Sequence, residues 1–134
     1  MKTLYKKQLE FELQKNICKF LSLQFPKVVF ISDATSGAKL TIPQAVRNSL
    51  IQKSDFKIPD LQILEPNKDW HGLFLELKKE TPYKKNGGIK ASQNNHLDEQ
   101  ENSMKLLRAK GYLACFCWSF DQAKEIIEEY IKNK

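Results

Sequence analysis

Two short stretches, Ile58-Pro59-Asp60-Leu61 and Gly72-Leu73-Phe74-Leu75-Glu76-Leu77-Lys78, are the most informative part of this sequence. The second stretch is apolar enough to form a central β-strand, and side chains alternate between the two faces of a strand. Glu76 and Lys78 therefore share one face. Burying charge costs free energy unless the charge is paired or bound to a metal ion, so this strand is expected to carry a chemical site.

A second carboxylate is expected beside the first. Asp60 precedes a predicted strand over 61–64, which places it where it can lie alongside Glu76. Two carboxylates held close together repel each other, and a divalent cation is one common remedy. Oxygen ligands completed by water suit Mg²⁺ or Mn²⁺. The residue pattern alone leaves a second reading open, in which Asp60 belongs to a turn and Glu76 and Lys78 form a salt bridge on an edge strand.

Two helices are expected to add polar side chains to this site. In the first helix, Glu10 lies roughly 50° from the centre of the apolar stripe and Glu12 roughly 110° from it. Glu10 and Gln14 therefore border the buried face, whereas Glu12 faces water. In the helix predicted over 96–110, Gln100 falls on the apolar side. Buried polar groups need hydrogen-bond partners, and one shared site would supply them.

The apolar periodicity predicts an α/β domain. Helices are expected over 4–24, weakly over 43–53, over 96–110, and from a cap at Ser119 onward; strands are expected over 28–31, 61–64, 72–78 and 112–118. The run over 28–31 is wholly apolar, which predicts a strand buried on both faces. Residues 79–95 form a polar loop. The order α-β-(α)-β-β-α-β-α predicts a central sheet with helices on both faces.

The sequence resembles the virus-type replication-repair nuclease domain, VRR-NUC, of the PD-(D/E)XK nuclease superfamily, from about residue 9 to residue 131. The resemblance rests on Glu10 with Gln14, Pro59-Asp60-Leu61, the block from Gly72 to Lys78, Gln100, and Gly111-Tyr112. Members often carry a glycine just before the Pro-Asp pair, where this chain has Lys57-Ile58. That difference affects the turn into the strand and leaves the chemical residues in place.

The resemblance implies a fold, a cofactor and a division of roles. The expected fold is a PD-(D/E)XK-like core with a mixed sheet of about four strands. Asp60, Glu76 and the backbone carbonyl of Leu77 would bind Mg²⁺ or Mn²⁺, and Lys78 would lie beside the attacking water. Glu10 would complete the acidic cluster as a further metal ligand, as an outer-sphere group or by orienting Lys78, with Glu12 as the fallback. Gln100 would hold Lys78 or the phosphate.

The charge distribution suggests a polyanionic partner. Twenty-two basic and sixteen acidic residues give a net charge of +6, and a basic surface favours nucleic acid without proving that it binds. The candidate phosphate contacts are lysines in two loops: Lys39, Lys79, Lys84, Lys85 and Lys90. Solvated basic loops explain the same residues equally well.

The leading functional hypothesis is a metal-dependent DNA endonuclease. By resemblance it would act on branched DNA in the manner of a Holliday junction resolvase, as a homodimer, in the cytoplasm of a bacterial or phage-infected cell. The alternatives are a nicking, flap or end-processing nuclease, an RNA-processing nuclease with the same site, and a DNA-binding accessory without catalysis.

The composition excludes several classes of protein. A length of 134 residues predicts one domain spanning 1–134. The sequence contains neither an apolar run long enough for a membrane span nor a visible secretory signal. Three cysteines are an odd number without zinc spacing, as expected in a reducing cytoplasm. Cys115 and Cys117 are expected in the core, and neither His71 nor His96 is assigned a role.

Overall fold

The computed structural model describes residues 2–33, 40–92 and 96–134, without the side chains of residues 2–8. The helices are α1 (Lys2–Gln24), α2 (Ile42–Ile51), α3 (His96–Ala109) and α4 (Phe120–Lys132), and the strands are β1 (Phe30–Ser32), β2 (Leu61–Ile63), β3 (Leu73–Leu77) and β4 (Leu113–Cys117). This order confirms the predicted α-β-α-β-β-α-β-α arrangement. None of the described helices combines the length and apolar character that a membrane span requires.

The four strands form one mixed sheet in the order β1-β2-β3-β4. β1 pairs antiparallel with β2, β2 pairs antiparallel with β3, and β3 pairs parallel with β4. All five residues of β3 are buried, because strands flank it on both sides and helices cover both faces. The prediction of a central strand at this position is confirmed.

The two faces of β3 pack against different helices. Its three leucines join α1 and α4 in the larger apolar cluster, which includes Leu73, Leu75, Leu77, Ile17, Leu21, Ile127 and Tyr130. On the other face, Phe74 packs with Met104 of α3 and with Phe116 of β4. The leucine face is therefore wholly structural, whereas the other face continues from Phe74 into Glu76.

One prediction about the sheet is wrong. The apolar run over 28–31 was expected to be buried on both faces, but β1 lies at the edge of the sheet. Val28 and Phe30 pack against the larger cluster, whereas Val29 is 60% exposed and Ile31 is 49% exposed. Side chains alternate along a strand, so only alternate residues of this edge reach the core.

The helix expected over 43–53 is present as α2 and is unusually exposed. It begins with a complete capping box, in which the Thr41 hydroxyl accepts from the Gln44 N–H and the Gln44 side chain accepts from the Thr41 N–H. All ten of its residues are exposed. Ile42, Val46 and Leu50 follow one another at four-residue intervals, so they form one apolar stripe open to solvent.

The polar loop after β3 contains a compact turn, residues 82–90, which we call the basic hairpin. Tyr83 pairs with Ile89 in an isolated β-bridge, and the Lys90 N–H donates to the Pro82 carbonyl at 2.8 Å. Gly87 has φ +89°, a conformation that favours glycine. The Tyr83 ring packs edge-on against Phe116 at 5.9 Å. The hairpin is thus anchored on the sheet, with its tip exposed.

Candidate active site

Strand pairing brings Asp60 and Glu76 together. β2 and β3 pair with Leu61 opposite Leu75, so the antiparallel register continues with Asp60 opposite Glu76. Asp60 is 8% exposed and Glu76 is 5% exposed. The Asp60 carboxylate accepts a hydrogen bond from the Leu77 backbone N–H at 2.8 Å, which holds it against β3. When Glu76 is protonated, its carboxyl group can donate a hydrogen bond to Asp60.

Lys78 lies on the same face, just past the end of β3. Its Nζ is 3.9 Å from Glu76 Oε1. The Lys78 backbone N–H donates to the Cys117 carbonyl at 2.8 Å, which extends the parallel pairing of β3 with β4 by one residue. The backbone therefore keeps the alternation that places the ammonium beside the carboxylate pair.

Gln100 reaches this cluster from α3, which covers the same face of the sheet. The Gln100 side chain is buried, and its Nε2 donates to Glu76 Oε1 at 2.7 Å. The same nitrogen lies 3.1 Å from Nε2 of His96, one helical turn earlier. Gln100 Oε1 is buried and has no hydrogen-bond partner within the described part of the chain. The inward direction predicted for Gln100 agrees with this placement.

Helix α1 contacts the other end of the cluster. Gln14 Nε2 donates to the Ser32 hydroxyl at 2.6 Å, to the Asp33 carbonyl at 3.2 Å and to the Asp60 carbonyl at 3.4 Å. These bonds tie α1 to the end of β1 and to the residue that carries the Asp60 carboxylate. Gln14 therefore acts on the backbone that supports the site.

Of the two candidate carboxylates on α1, Glu10 lies on the side of the site. Its charge contributes to raising the pKa of Glu76, and its side chain is half-buried. Glu12 instead forms an ion pair with Lys15 at 3.4 Å on the solvent side of α1. The predicted helical phase agrees with both positions.

The electrostatics of the site centre on Glu76. Burial is the largest cause that raises the pKa of this carboxyl group, followed by the charge of Asp60. The Lys78 ammonium lowers the pKa in part, while the hydrogen bond that protonated Glu76 donates to Asp60 and the charge of Glu10 raise it further. Without a cation, the ionised form of Glu76 is therefore disfavoured.

These residues fit a hard divalent cation bound partly by water. Within residues 2–33, 40–92 and 96–134, no group of three or more His, Cys, Asp or Glu side chains could hold an ion. Two neighbouring carboxylates, Asp60 and Glu76, would provide the charged ligands, and the carbonyl of Leu77, the residue after Glu76, is the predicted backbone ligand. Mg²⁺ commonly takes one or two carboxylates and keeps several waters, so this set suits Mg²⁺ or Mn²⁺.

The predicted phosphate-binding lysines occupy different environments. Lys79, Lys84 and Lys85 are exposed, and Lys90 is half-buried at the base of the basic hairpin. Lys39 lies outside the described residues. The hairpin therefore carries two adjacent, exposed ammonium groups at its tip. In the chain they follow Lys78 by six and seven residues.

His96, which has no predicted role, lies next to Gln100. His96 and Gln100 are four residues apart, so they are neighbours on one face of a helix. That spacing was the available signal. The spacing alone could not assign a role to His96, because tertiary packing determines which part of α3 contacts the sheet.

The raised pKa of Glu76 predicts an unusual dependence of stability on pH. A carboxyl group whose pKa is higher in the folded state binds a proton more tightly there, so stability falls as the pH rises above the ordinary value of 4.5. In EDTA, Glu76→Gln should therefore be more stable than the wild type at pH 7.5. Lowering the pH toward 4.5 should remove this advantage, as urea unfolding can measure. Glu12→Gln, which changes an exposed ion pair, is the control; identical pH profiles for both variants would contradict the assignment.

Comparison with known proteins identifies the fold. No protein-family model matches the sequence, and no curated protein matches it. Among solved structures, a chain described as a "VRR_NUC domain protein" aligns with a TM-score of 0.64 over 92% of this chain and 88% of its own length, at 22% sequence identity. The chain therefore has the fold of that VRR_NUC domain protein, which confirms the fold predicted from its motifs.

Proposed function

We propose that this protein is an endonuclease that hydrolyses phosphodiester bonds in DNA with Mg²⁺ or Mn²⁺. The observation that carries the proposal is the buried pair of carboxylates, Asp60 and Glu76, with the Lys78 ammonium 3.9 Å from Glu76 on the same face. A folded protein gains no stability from adjacent buried carboxylates unless something neutralises them. The VRR-NUC fold gives this arrangement its chemical context.

Asp60, Glu76 and the Leu77 carbonyl would hold the cation. When bound, a divalent cation lowers the pKa of water and neutralises negative charge that develops on the phosphate. Asp60 is held for this task by the Leu77 N–H, and Glu76 is held by the Gln100 amide. Both carboxylates are thus oriented before substrate arrives, which lowers the cost of reaching the reactive geometry.

Lys78 would act on the water and the phosphate. Its ammonium lies at the rim of the carboxylate pair, where it can orient or help to deprotonate the attacking water and can stabilise an oxyanion. Glu10, at the edge of the cluster, would contribute as an outer-sphere group or by orienting Lys78. Gln100 would act on Glu76, which is the group that its amide contacts in the structure.

The basic hairpin supports DNA as the substrate. Lys84 and Lys85 lie exposed at its tip, and backbone hydrogen bonds within the hairpin define the turn that carries them. Lysine contacts to phosphates provide affinity without reading sequence. With Lys79 and Lys90 they would guide the phosphate backbone toward Lys78, and Lys39 would contribute from the loop after β1.

We extend the proposal to junction DNA as the substrate and to a homodimer as the active form. Cutting two opposed strands of a branched DNA symmetrically requires two active sites related by a twofold axis. The exposed stripe of Ile42, Val46 and Leu50 on α2 supplies an apolar surface that a second copy could cover. The alternative is a nicking, flap or end-processing nuclease with the same site, and none of these activities needs the dimer.

The first test is cleavage of a labelled four-way junction beside a matched linear duplex and a matched RNA, with Mg²⁺, Mn²⁺ or EDTA. Paired, symmetric cuts in the junction that require metal and disappear in Glu76→Ala are expected. Metal-dependent cutting of other substrates would retain the site and reject the junction. If DNA binds in EDTA and no substrate is cut in either metal, the protein is a binding accessory.

Variants of single residues separate the roles. Lys78→Ala should abolish cutting while metal binding persists, and Asp60→Asn should weaken both. Glu10→Gln should lose about 10- to 100-fold in rate, as outer-shell groups of metal sites do. Glu12→Gln, the matched change two residues away, should stay close to wild type. Equal effects of the two substitutions would reject the role of Glu10.

A second prediction concerns the dimer. Leu50 on α2 and Leu23 on α1 are similarly exposed, at 78% and 76%, so Leu50→Asp and Leu23→Asp change the surface equally. Light scattering after size-exclusion chromatography should find a dimer for the wild type and for Leu23→Asp, and a monomer for Leu50→Asp. A monomeric wild type at micromolar concentration would reject the homodimer.

A third prediction concerns the basic hairpin. Replacing Lys84 and Lys85 with Gln should weaken DNA binding and reduce the slope of log affinity against log salt by about 0.9 for each lost phosphate contact. Lys132 and Lys134, two exposed lysines at the end of α4, provide the matched control. If both double variants change the slope equally, the hairpin has no special contact with DNA.

A further inference from the structure

The carboxamide of Gln100 is held by two contacts made by one atom. Its Nε2 lies 2.7 Å from Glu76 Oε1 and 3.1 Å from His96 Nε2. An amide nitrogen has two hydrogens and donates only. Both neighbours must therefore accept, which requires that His96 Nε2 carries no proton. A neutral His96 in this geometry has its proton on Nδ1.

The orientation of the Gln100 carboxamide depends on these two acceptors. Gln100 Oε1 is buried and lacks a hydrogen-bond partner among the residues described here, so the oxygen does not set the orientation. Rotating the amide by half a turn would place this oxygen against the Glu76 carboxylate. It would also leave two buried N–H groups where one oxygen lies now. The imidazole therefore stabilises the rotamer in which the amide donates to Glu76.

The surroundings of His96 favour its neutral form. His96 is exposed as a whole, but desolvation of its ring is the largest cause that lowers its pKa, followed by the positive charges of Lys78 and Lys57, while Glu99 and Asp60 raise it. Lys57 and Glu99 also form an ion pair with each other at 3.6 Å. These four charged groups act on the imidazole from the residue just past β3, from the segment before β2 and from α3 itself.

We propose that His96 is a positioning residue of the active site, whose neutral imidazole accepts from the Gln100 carboxamide and so keeps that amide donating to Glu76. The inference rests on the proposed nuclease site and adds a residue that acts through Gln100. A proton on His96 Nε2 would face the amide hydrogens, so the ring or the amide must turn away. Glu76 then loses its donor, and its oxygens are less well held for a cation.

The direct test is the tautomer of His96. The chain has only two histidines, so long-range proton–nitrogen NMR spectra of the metal-free protein resolve both rings, and His71 in the turn before β3 is the internal control. We expect His96 to carry its proton on Nδ1. Gln100→Leu removes the donor and should return His96 to the Nε2-protonated form that free imidazoles of histidine prefer. A wild-type His96 with its proton on Nε2 would overturn the inference.

The functional test is Mn²⁺ affinity by calorimetry at pH 7.5. His96→Ala should weaken binding about tenfold, the lower end of the losses seen when outer-shell partners of a metal site are removed. His96→Gln should rescue the affinity, because a Gln oxygen can accept at the position of Nε2 and does not titrate. His71→Ala is the matched control. Equal affinity of His96→Ala and wild type would reject the positioning role.

The pH dependence adds a readout that mere packing would not change. Between pH 7.5 and pH 5.5, protonation of the carboxylates weakens Mn²⁺ binding in every variant. As the pH falls through the lowered pKa of His96, the wild type should lose more affinity than His96→Gln, because only the wild type protonates an imidazole at this position. Parallel curves would count against the inference. If the wild type binds no Mn²⁺, the nuclease proposal fails, and the tautomer of His96 still decides this inference.

Discussion

The pairing of β2 with β3 is the constraint on which the rest of this structure depends. It places Asp60 beside Glu76 and lets the Asp60 carboxylate accept from the Leu77 N–H at 2.8 Å. Burial and the charge of Asp60 raise the pKa of Glu76, so the site is unfavourable in isolation. Each neighbouring element then contributes a group that reduces this cost: Lys78 from β3 and the Gln100 amide from α3.

The two faces of β3 have different roles: one stabilises the fold, and the other carries the candidate site. Leu73, Leu75 and Leu77 are buried against α1 and α4, and burying a leucine stabilises a protein by roughly 1.5–3 kcal/mol. This leucine face offsets the cost of the charged face behind it. The site is consequently built on an inner strand whose five residues are all buried, which suits a constellation whose geometry the scaffold must hold.

Sequence patterns predicted the element order, the central position of β3 and the inward direction of Gln100. They failed at β1, where an apolar run was read as buried although alternate residues of an edge strand face outward. They also left His96 without a role. In each case the outcome depends on which other element packs against the residue. A local pattern of hydrophobicity does not contain that information.

The sequence alone was sufficient to predict that Glu76 and Lys78 share a face. Alternation of side chains along a strand is a property of the backbone and does not depend on a neighbouring element. The same holds for Glu10 and Glu12, whose separation on α1 follows from the helical repeat. The three-dimensional fold was needed to show that Gln100 contacts Glu76 and that His96 contacts Gln100. Those contacts depend on where α3 crosses the sheet, and that position is set by packing between residues far apart in the chain.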